Sequence, residues 1–420
     1  MAQSWYARWM TEWETKLTTR DTNRIVRPLE WGFDWLEDFS HAPASIPEAV
    51  SVAAIGAASA QLGPAEQMRS GNGASAVGDL DRMIAINDEI LQRSTEFYGY
   101  VTPTDFRIER RHPQLFPTNV RPETLAQDAE MKRAAEMGEL EEADFLRFTS
   151  PLRTHYPEND QVNARWYPAP ADRQPPGKPR QAIVVMPQWN ADAISHNVLC
   201  GLFNRFGISA LRLSKPYHDI RRPAELERSD YAVSSNIGRT ISACRQAVVD
   251  VRGCIDWLET QGYTQFGVLG TSLGSCYAFI AAAQDPRIRV CAFNHASTWF
   301  GDVVWTGQST RHVRAAFEQA GLTQEQVRHL FAGISPMSCM ERFAANPRRV
   351  LVVHATYDLT FLREFSLDVL HNFDRYGVDY ESRVLPCGHY TTGETPYKYL
   401  DGWYLGSFVY RAFRDLAAHG

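Results

Sequence analysis

The stretch Gly267–Ile280, GVLGTSLGSCYAFI, is the strongest indicator of the fold, because it places a serine between two glycines directly after a short apolar run. The run before Ser272 has the length of a strand, and the residues after it have a helical pattern. Gly270 and Gly274 leave room for a sharp turn, and the amides that begin the next helix favour an oxyanion nearby. The pattern predicts that Ser272 is a nucleophile at a strand-to-helix turn.

Apolar runs of strand length alternate with longer helical patterns along the rest of the chain from about residue 150. The runs are VNARWYPA, AIVVMPQW, ISALRLS, FGVLGTS, VCAFNHAS and RVLVVHA. Such alternation predicts an α/β fold, with a doubly wound, mostly parallel sheet whose strands are joined by crossover helices. We expect a catalytic domain over residues 146–420, a helical N-terminal extension over residues 1–145, and a helical cap insertion over about residues 299–343.

A serine hydroxyl needs a base to become a nucleophile, and the base needs an acid to orient it. Asp358 ends the stretch RVLVVHATYD, and His389 lies in the loop after the later strand pattern SRVL. Both residues follow Ser272 in the order serine, acid, histidine that fits this kind of turn. Asp302, which comes after VCAFNHAS, is an alternative acid.

Other polar residues near these strands have no place in that triad. His295 and His354 lie inside apolar strand patterns, which is typical of hydrogen-bonded core histidines. Asp192 and His196 precede the serine, so the chain order excludes them. The sequence has no HExxH motif, no CxxC pair and no carboxylate cluster at ligand spacing, so we predict no metal and no other cofactor.

These features resemble the α/β-hydrolase superfamily. The resemblance covers roughly residues 150–415 and rests on the turn GTSLG, the aspartate in HATYD and the histidine in CGHY. It implies that Ser272 is the nucleophile, that His389 is the general base and then the general acid, and that Asp358 orients the histidine. It also implies that the amide of Leu273 donates to the oxyanion.

A second oxyanion donor is expected from the loop after an early strand. Members of the superfamily often have His-Gly in that loop, whereas this chain has Pro187, Gln188, Trp189 and Asn190. We expect the backbone amide of Gln188 or of Trp189 to serve as the donor. A merely structural turn is the alternative.

Two segments near the expected cavity contribute candidate substrate-binding residues. The residues are Trp299, Trp305, Tyr217, His218 and Arg222. The two tryptophans begin the cap insertion and are predicted pocket walls, with plain packing as the alternative. The other three belong to the loop KPYHDIRRP, whose two arginines could bind a carboxylate or phosphate of the substrate or pair with nearby acids on the surface.

The N-terminal segment carries three tryptophans at four-residue spacing, Trp5, Trp9 and Trp13. This spacing puts three indoles on one face of a helix. We predict that the helix docks on the body of the protein or on a second subunit, so a homodimer is plausible. An interfacial membrane helix is the alternative, and the charges of Glu12 and Glu14 oppose it.

Composition narrows the class of partner. The chain has 420 residues and a formal net charge of -6, which gives no basic field to attract nucleic acid. The start lacks the basic and apolar regions of a secretory signal, and the apolar run from Val50 is too short to cross a bilayer. We expect a cytoplasmic protein with no transmembrane segment. The seven cysteines include no CxxC pair, so we predict free thiols.

The sequence therefore predicts a cofactor-independent serine hydrolase that acts on a small-molecule carboxylic ester through an acyl-enzyme. Hydrolysis of an amide, thioester or lactone, or acyl transfer to an alcohol, would use the same residues. A peripheral membrane lipase is a further alternative. A non-catalytic binding protein on the same fold is the alternative from a different class.

Overall fold

The structure of the protein is a computed structural model, which describes residues 4–20, 24–36, 73–113, 133, 137, 142–174 and 177–419. The apolar run that begins at Val50 lies outside these residues. Within the described ranges, no helix is both long enough and apolar enough to span a membrane.

A nine-stranded sheet runs through the described part of the chain. Its strands are β1 Arg107–Arg111, β2 Ala143–Thr149, β3 Gln161–Tyr167, β4 Gln181–Met186, β5 Ile208–Ser214, β6 Gln265–Thr271, β7 Ile288–Asn294, β8 Arg349–Ala355 and β9 Tyr380–Leu385. They lie in the order β1-β2-β3-β5-β4-β6-β7-β8-β9. The β1, β2, β3 and β5 pairings are antiparallel, and every pairing from β5 across to β9 is parallel. The prediction of a mostly parallel sheet is confirmed.

Helices cover both faces of the sheet. In the described residues they are α1 Trp5–Thr18, α2 Gly73–Gln92, α3 Ser94–Phe97, α4 Asn197–Arg205, α5 Ile237–Thr260, α6 Leu273–Gln284, α7 Phe300–Thr306, α8 Arg311–Gln319, α9 Gln324–Leu330, α10 Met340–Ala344, α11 Arg363–Tyr376 and α12 Tyr397–His419. Helices α5, α6 and α11 pack in the core on one face, and α4 and α12 pack in the core on the other. The doubly wound arrangement predicted from the alternating pattern is present.

Strand β4 shows why the sequence folds this way. Successive side chains of a strand point to opposite faces, so a strand covered by helices on both faces is apolar throughout. Ile183 and Val185 belong to the core beneath α4 and α12, whereas Val184 and Met186 belong to the core beneath α5 and α6. The result is that the carboxyl ends of β4, β6, β7 and β8 emerge together at one edge, where the polar side chains of the site lie.

The N-terminal helix α1 docks on the body of the protein, but its indole stripe contributes only in part. Trp5 is 71% exposed and Trp9 is 44% exposed, whereas Trp13 is partly buried and packs against the core beneath α4 and α12. The buried stripe is Met10, Glu14 and Thr18, which also repeats every four residues. Glu14, whose charge opposes an interfacial membrane helix, is completely buried. Contact of α1 with a second subunit stays a prediction.

The predicted domain boundary falls inside a strand. Strand β1 and the first residues of β2 precede residue 146 and pair with the rest of the sheet. Residues 299–343 contain the helices α7, α8 and α9 and most of α10, as the helical pattern predicted. The division of the chain into an extension, a catalytic domain and a cap stays a prediction.

Candidate active site

Ser272 occupies a tight turn between β6 and α6. Its backbone has φ 57° and ψ -121°, a conformation that non-glycine residues rarely adopt. A Cβ on Gly270 would lie 2.1 Å from the carbonyl oxygen of Gly274, and a Cβ on Gly274 would lie 2.2 Å from that of Met186. Because backbone atoms on both sides leave no room, glycine is required at both positions.

A chain of hydrogen bonds connects Ser272 to a buried carboxylate. The Oγ atom of Ser272 lies 2.9 Å from Nε2 of His389, and Nδ1 of His389 lies 2.9 Å from Oδ2 of Asp358. The other oxygen of Asp358 accepts from the backbone amides of Thr360 at 2.8 Å and Phe361 at 2.7 Å. An ionised carboxylate only accepts, so His389 carries its proton on Nδ1 and leaves Nε2 open to the serine.

The electrostatics of these hydrogen-bonded residues favour an ionised Asp358 and a basic imidazole on His389. Burial alone would raise the pKa of Asp358, but the charge of His389 and the hydrogen bonds from His295 and His389 bring it well below the usual carboxyl range. Burial lowers the pKa of His389, but the carboxylate of Asp358 outweighs burial, so the net shift is upward. The pair is therefore suited to take up a proton at Nε2 and to stabilise the imidazolium.

His295 is a second histidine on the same carboxylate. Its Nδ1 donates to Oδ2 of Asp358 at 3.0 Å, and its side chain is 1% exposed. Burial lowers its pKa, so this imidazole is neutral. Its predicted place in the core is correct, but the bond to Asp358 was not predicted. His295 directly follows β7, and Asp358 comes shortly after the end of the adjacent parallel strand β8. Because both residues follow neighbouring strand ends, the sequence could have indicated that they lie close together.

His295, Asp358 and His389 are also the group of described residues whose side chains could together hold a metal ion, with ligand atoms within 4.8 Å of one another. Their arrangement fits proton transfer better. A single carboxylate oxygen lies between two ring nitrogens, and both nitrogens donate to it. A metal ion bound there would have to replace both of these protons.

Two backbone segments offer amides to the space beside Ser272. Leu273 is the first residue of α6, so its amide has no acceptor within the helix. In the loop after β4, the buried amine of Lys215 donates to the carbonyl oxygen of Gln188 at 3.0 Å. The C=O and the following N–H of a trans peptide point in opposite directions, so the N–H of Trp189 points away from Lys215. His218 Nε2 accepts from the amide of Asn190 at 3.2 Å and fixes the end of this loop.

A cavity of about 940 Å³ opens over Ser272 and His389. Leu273, Gln188 and Trp189 also line it. The apolar lining comes from Leu273, Cys276, Val233 and three residues of α7. The polar lining comes from Asn294, His196, Lys398 and Asp401. The ring of Phe361 stacks on His389 at 5.2 Å between centroids, which fixes the plane of the imidazole.

The structure does not bring the predicted substrate-binding side chains to this cavity. Those side chains, Trp299, Trp305, Tyr217, His218 and Arg222, are absent from the described residues that line it. Tyr217 is fully buried, and His218, at 1% exposure, serves the loop after β4. The guanidinium of Arg222 donates to the backbone carbonyl of Glu227.

Other residues of the predicted cap face the cavity instead of its tryptophans. Phe300, Val303 and Val304 line the cavity, and their spacing puts them on one face of α7. The guanidinium of Arg328 lies 5.8 Å from the ring of Trp299, and that of Arg314 lies 5.1 Å from the ring of Trp305. The spacing of the apolar residues at 300, 303 and 304 in the sequence could have identified this face of α7 as the cavity lining.

The remaining candidates have other partners. Asp302, the alternative acid, forms an ion pair with Arg328 at 2.7 Å. His196 lines the cavity, and its Nε2 lies 2.9 Å from Oγ1 of Thr271. His354 is 2% exposed, in agreement with its prediction as a core histidine, but its Nδ1 has no hydrogen-bond partner among the described residues.

Comparison with known proteins gives partial matches in sequence. A family model described as "Alpha/beta hydrolase domain containing 18" matches residues 196–313. Two uncharacterized 31.7 kDa proteins in the traX-finO intergenic region of Escherichia coli are 36% and 35% identical to this chain over 83 residues. Each match covers 19% of this chain and 28% of the relative.

Solved structures give a match over more of the chain. Acetyl xylan esterase 1 from Thermoanaerobacterium sp. superposes with a TM-score of 0.51 at 13% identity, over 78% of this chain and 98% of that one. An acylaminoacyl peptidase from Pyrococcus horikoshii gives a TM-score of 0.47 at 10% identity, over 65% of this chain and 46% of the peptidase. The similarity to the esterase shows a shared fold.

Proposed function

We propose that this member of the α/β-hydrolase superfamily is a serine hydrolase that cleaves a carboxylic ester through an acyl-enzyme on Ser272. The observation that carries the proposal is the unbroken chain from Oγ of Ser272 through His389 to Asp358, with both hydrogen bonds at 2.9 Å, at the surface of a cavity of about 940 Å³. A strained serine with a base and a buried acid in line is the arrangement that nucleophilic catalysis requires.

The first step forms a covalent bond between Oγ of Ser272 and the ester carbonyl carbon. The hydroxyl proton passes to Nε2 of His389, and the electron pair of the carbonyl bond moves to the carbonyl oxygen. We infer that the amides of Leu273 and Trp189 donate to this oxyanion, because the bond from Lys215 to Gln188 turns the Trp189 amide away from Lys215. Losing one such donor costs about 3 kcal/mol of transition-state stabilisation.

The second half of the reaction releases both products. His389 returns its proton to the alkoxide oxygen as the ester C–O bond breaks, and the alcohol leaves. A water molecule then gives a proton to Nε2 and attacks the acyl carbon, so that the acid is released and Ser272 recovers its proton. Throughout, Asp358 holds Nδ1 of His389 and balances the charge of the imidazolium.

The test is intact-mass analysis after treatment with a fluorophosphonate, on the wild type and on Ser272→Ala. We expect one adduct on the wild type and none on the variant, with nearly equal Tm values, because the substitution removes only one oxygen from a preformed turn. The same pair is then assayed on esters, amides, thioesters and lactones of one acyl group. A folded wild type without an adduct would contradict the proposal and favour a non-catalytic binding protein.

A further inference from the structure

We propose that Glu14, on the N-terminal helix α1, is a positioning residue that holds the loop of His389 in its working place. This role rests on the serine-hydrolase function proposed above. It would make a segment far from the nucleophile in sequence a part of the active site.

The first observation is the set of hydrogen bonds that Glu14 accepts. Its Oε1 accepts from the backbone amide of Tyr390 at 2.8 Å. Its Oε2 accepts from the amide of Thr391 at 3.0 Å and from the hydroxyl of the same residue at 3.1 Å. All three donors belong to the two residues that follow His389, so the carboxylate fixes the backbone next to the imidazole. Three donors and no acceptor match an ionised carboxylate.

The second observation is the fit of the loop around that carboxylate. A Cβ on Gly388 would lie 2.4 Å from Cδ of Glu14, so the residue before His389 has no side chain where the carboxylate packs. The amide of Gly388 donates to Oγ1 of Thr391 at 2.6 Å. The hydroxyl of Thr391 therefore links the two sides of the loop to each other and to Glu14.

The third observation is that α1 has other anchors along the same loop. The hydroxyl of Tyr6 donates to the carbonyl oxygen of Pro386, and it lies 2.8 Å from the hydroxyl of Tyr397. Met10 is fully buried in the same apolar cluster as Cys387. Because these contacts do not involve Glu14, the helix has reasons to stay docked when the carboxylate alone is changed.

The burial of a charge is costly unless hydrogen bonds compensate for it, and here the three donors of the His389 loop do so. Burial raises the pKa of Glu14 above its ordinary value, and the amides of Tyr390 and Thr391 offset only part of that rise. The carboxylate also raises the pKa of His389, in the same direction as Asp358.

The surroundings of His389 show what Glu14 adds. Among the described residues, Ser272, Asp358, His295, Phe361 and Tyr390 contact or flank this imidazole, and the carboxylate of Glu14 acts on its pKa. Glu14 and Asp358 are the two acids in that set. Glu14 therefore supplies both the position of the loop and a second negative charge beside the base.

The experiment compares Glu14→Gln with Glu12→Gln, which makes the same change on an exposed position of the same helix. For each variant, the rate of fluorophosphonate labelling is measured from acid to neutral pH, together with Tm. We expect labelling of Glu14→Gln to slow about 10- to 100-fold, because a misplacement of about 1 Å costs that much. We also expect its pH midpoint to fall, because a negative charge beside the imidazole is lost. Glu12→Gln should match the wild type in both.

Two results would overturn the role of Glu14. One is a Glu14→Gln protein that labels like Glu12→Gln at every pH. The other is slower labelling with an unchanged pH midpoint and a Tm loss that accounts for it, which would mean a structural role only. If Glu14→Gln does not fold, Thr391→Val removes one of the three donors and tests the positioning alone: we expect a smaller loss of labelling rate with an unchanged pH midpoint and an unchanged Tm, and a labelling rate equal to that of the wild type would overturn the role. A wild type that takes no label at Ser272 would instead overturn the serine-hydrolase function itself.

Discussion

The turn that carries Ser272 and the loop that carries His389 meet in one hydrogen bond, but they are built differently. The turn depends on two glycines, each two positions from the serine, and both are visible in a short stretch of sequence, although Gly274 also packs against the backbone of Met186 on β4. The loop depends on a carboxylate 377 residues earlier in the chain. A site can thus join one half that its local sequence specifies to another half that only tertiary contacts specify.

The largest expected effect comes from changing Asp358, which acts only on the histidine half of this comparison. Asp358→Asn should lower kcat about 10⁴-fold, because the imidazole loses both its orientation and its charge partner. The turn at Ser272 should remain intact, so Tm should change far less than kcat. Steady-state kinetics on an activated ester and thermal unfolding measure the two.

The matched control for that change is Asp302→Asn. Its carboxylate forms an ion pair with Arg328 within the predicted cap and should leave kcat nearly unchanged. If Asp302→Asn lowers kcat and Asp358→Asn does not, the assignment of the acid is wrong, and His389 does not depend on Asp358.

A smaller effect should follow from removing the amine of Lys215. This amine holds the loop after β4, so that loop, like the His389 loop, depends on a contact from a distant segment. Lys215→Met leaves the carbonyl of Gln188 without its donor, and the amide of Trp189 loses its direction. We expect kcat to fall about tenfold, less than the roughly 10²-fold loss from deleting an oxyanion donor, with KM little changed. Lys178→Met, at an exposed position, is the control. Equal kcat in the two variants would mean that this loop holds its shape without Lys215.

The smallest effect is a displacement of the pH profile. The base must be neutral to accept the serine proton, so kcat/KM falls as the pH drops through the pKa of His389. Asp358 raises that pKa, so the acid limb should lie above the ordinary imidazole value of about 6.5. Burial lowers the pKa of His295, so this histidine should titrate below His389. An acid limb below that value would show that the histidine half lacks the charge support described above.

Sequence reasoning reached what local pattern determines. The strand runs, the turn at Ser272 and the order of Asp358 and His389 each follow from period and spacing, and the fold they predicted is confirmed. Those features need only the carboxyl ends of parallel strands to share an edge. The structure then brings Ser272, Asp358 and His389 into one hydrogen-bonded chain.

What sequence reasoning missed depends on contacts between distant segments. Glu14 stood out only as a charge beside three tryptophans, and nothing in the local sequence indicates that it meets the amides after His389. His295 was predicted as a core residue, and its bond to Asp358 depends on the pairing of β7 with β8. Trp299 and Trp305 drew attention by their size, although the helical period selects Phe300 and Val303 as cavity lining.

The docking of α1 on the loop of His389 determines how late the active site is completed during synthesis and folding. Glu14 is synthesised early, but its partners Tyr390 and Thr391 are added 376 and 377 residues later. Closing a contact over such a separation is slow and entropically costly, so it comes late in folding. A chain that has been made only as far as Ser272 still lacks His389 and the two residues through which Glu14 positions it. The hydroxyl of Ser272 should therefore become fully reactive only after the segment that carries His389, Tyr390 and Thr391 has been made and has met Glu14.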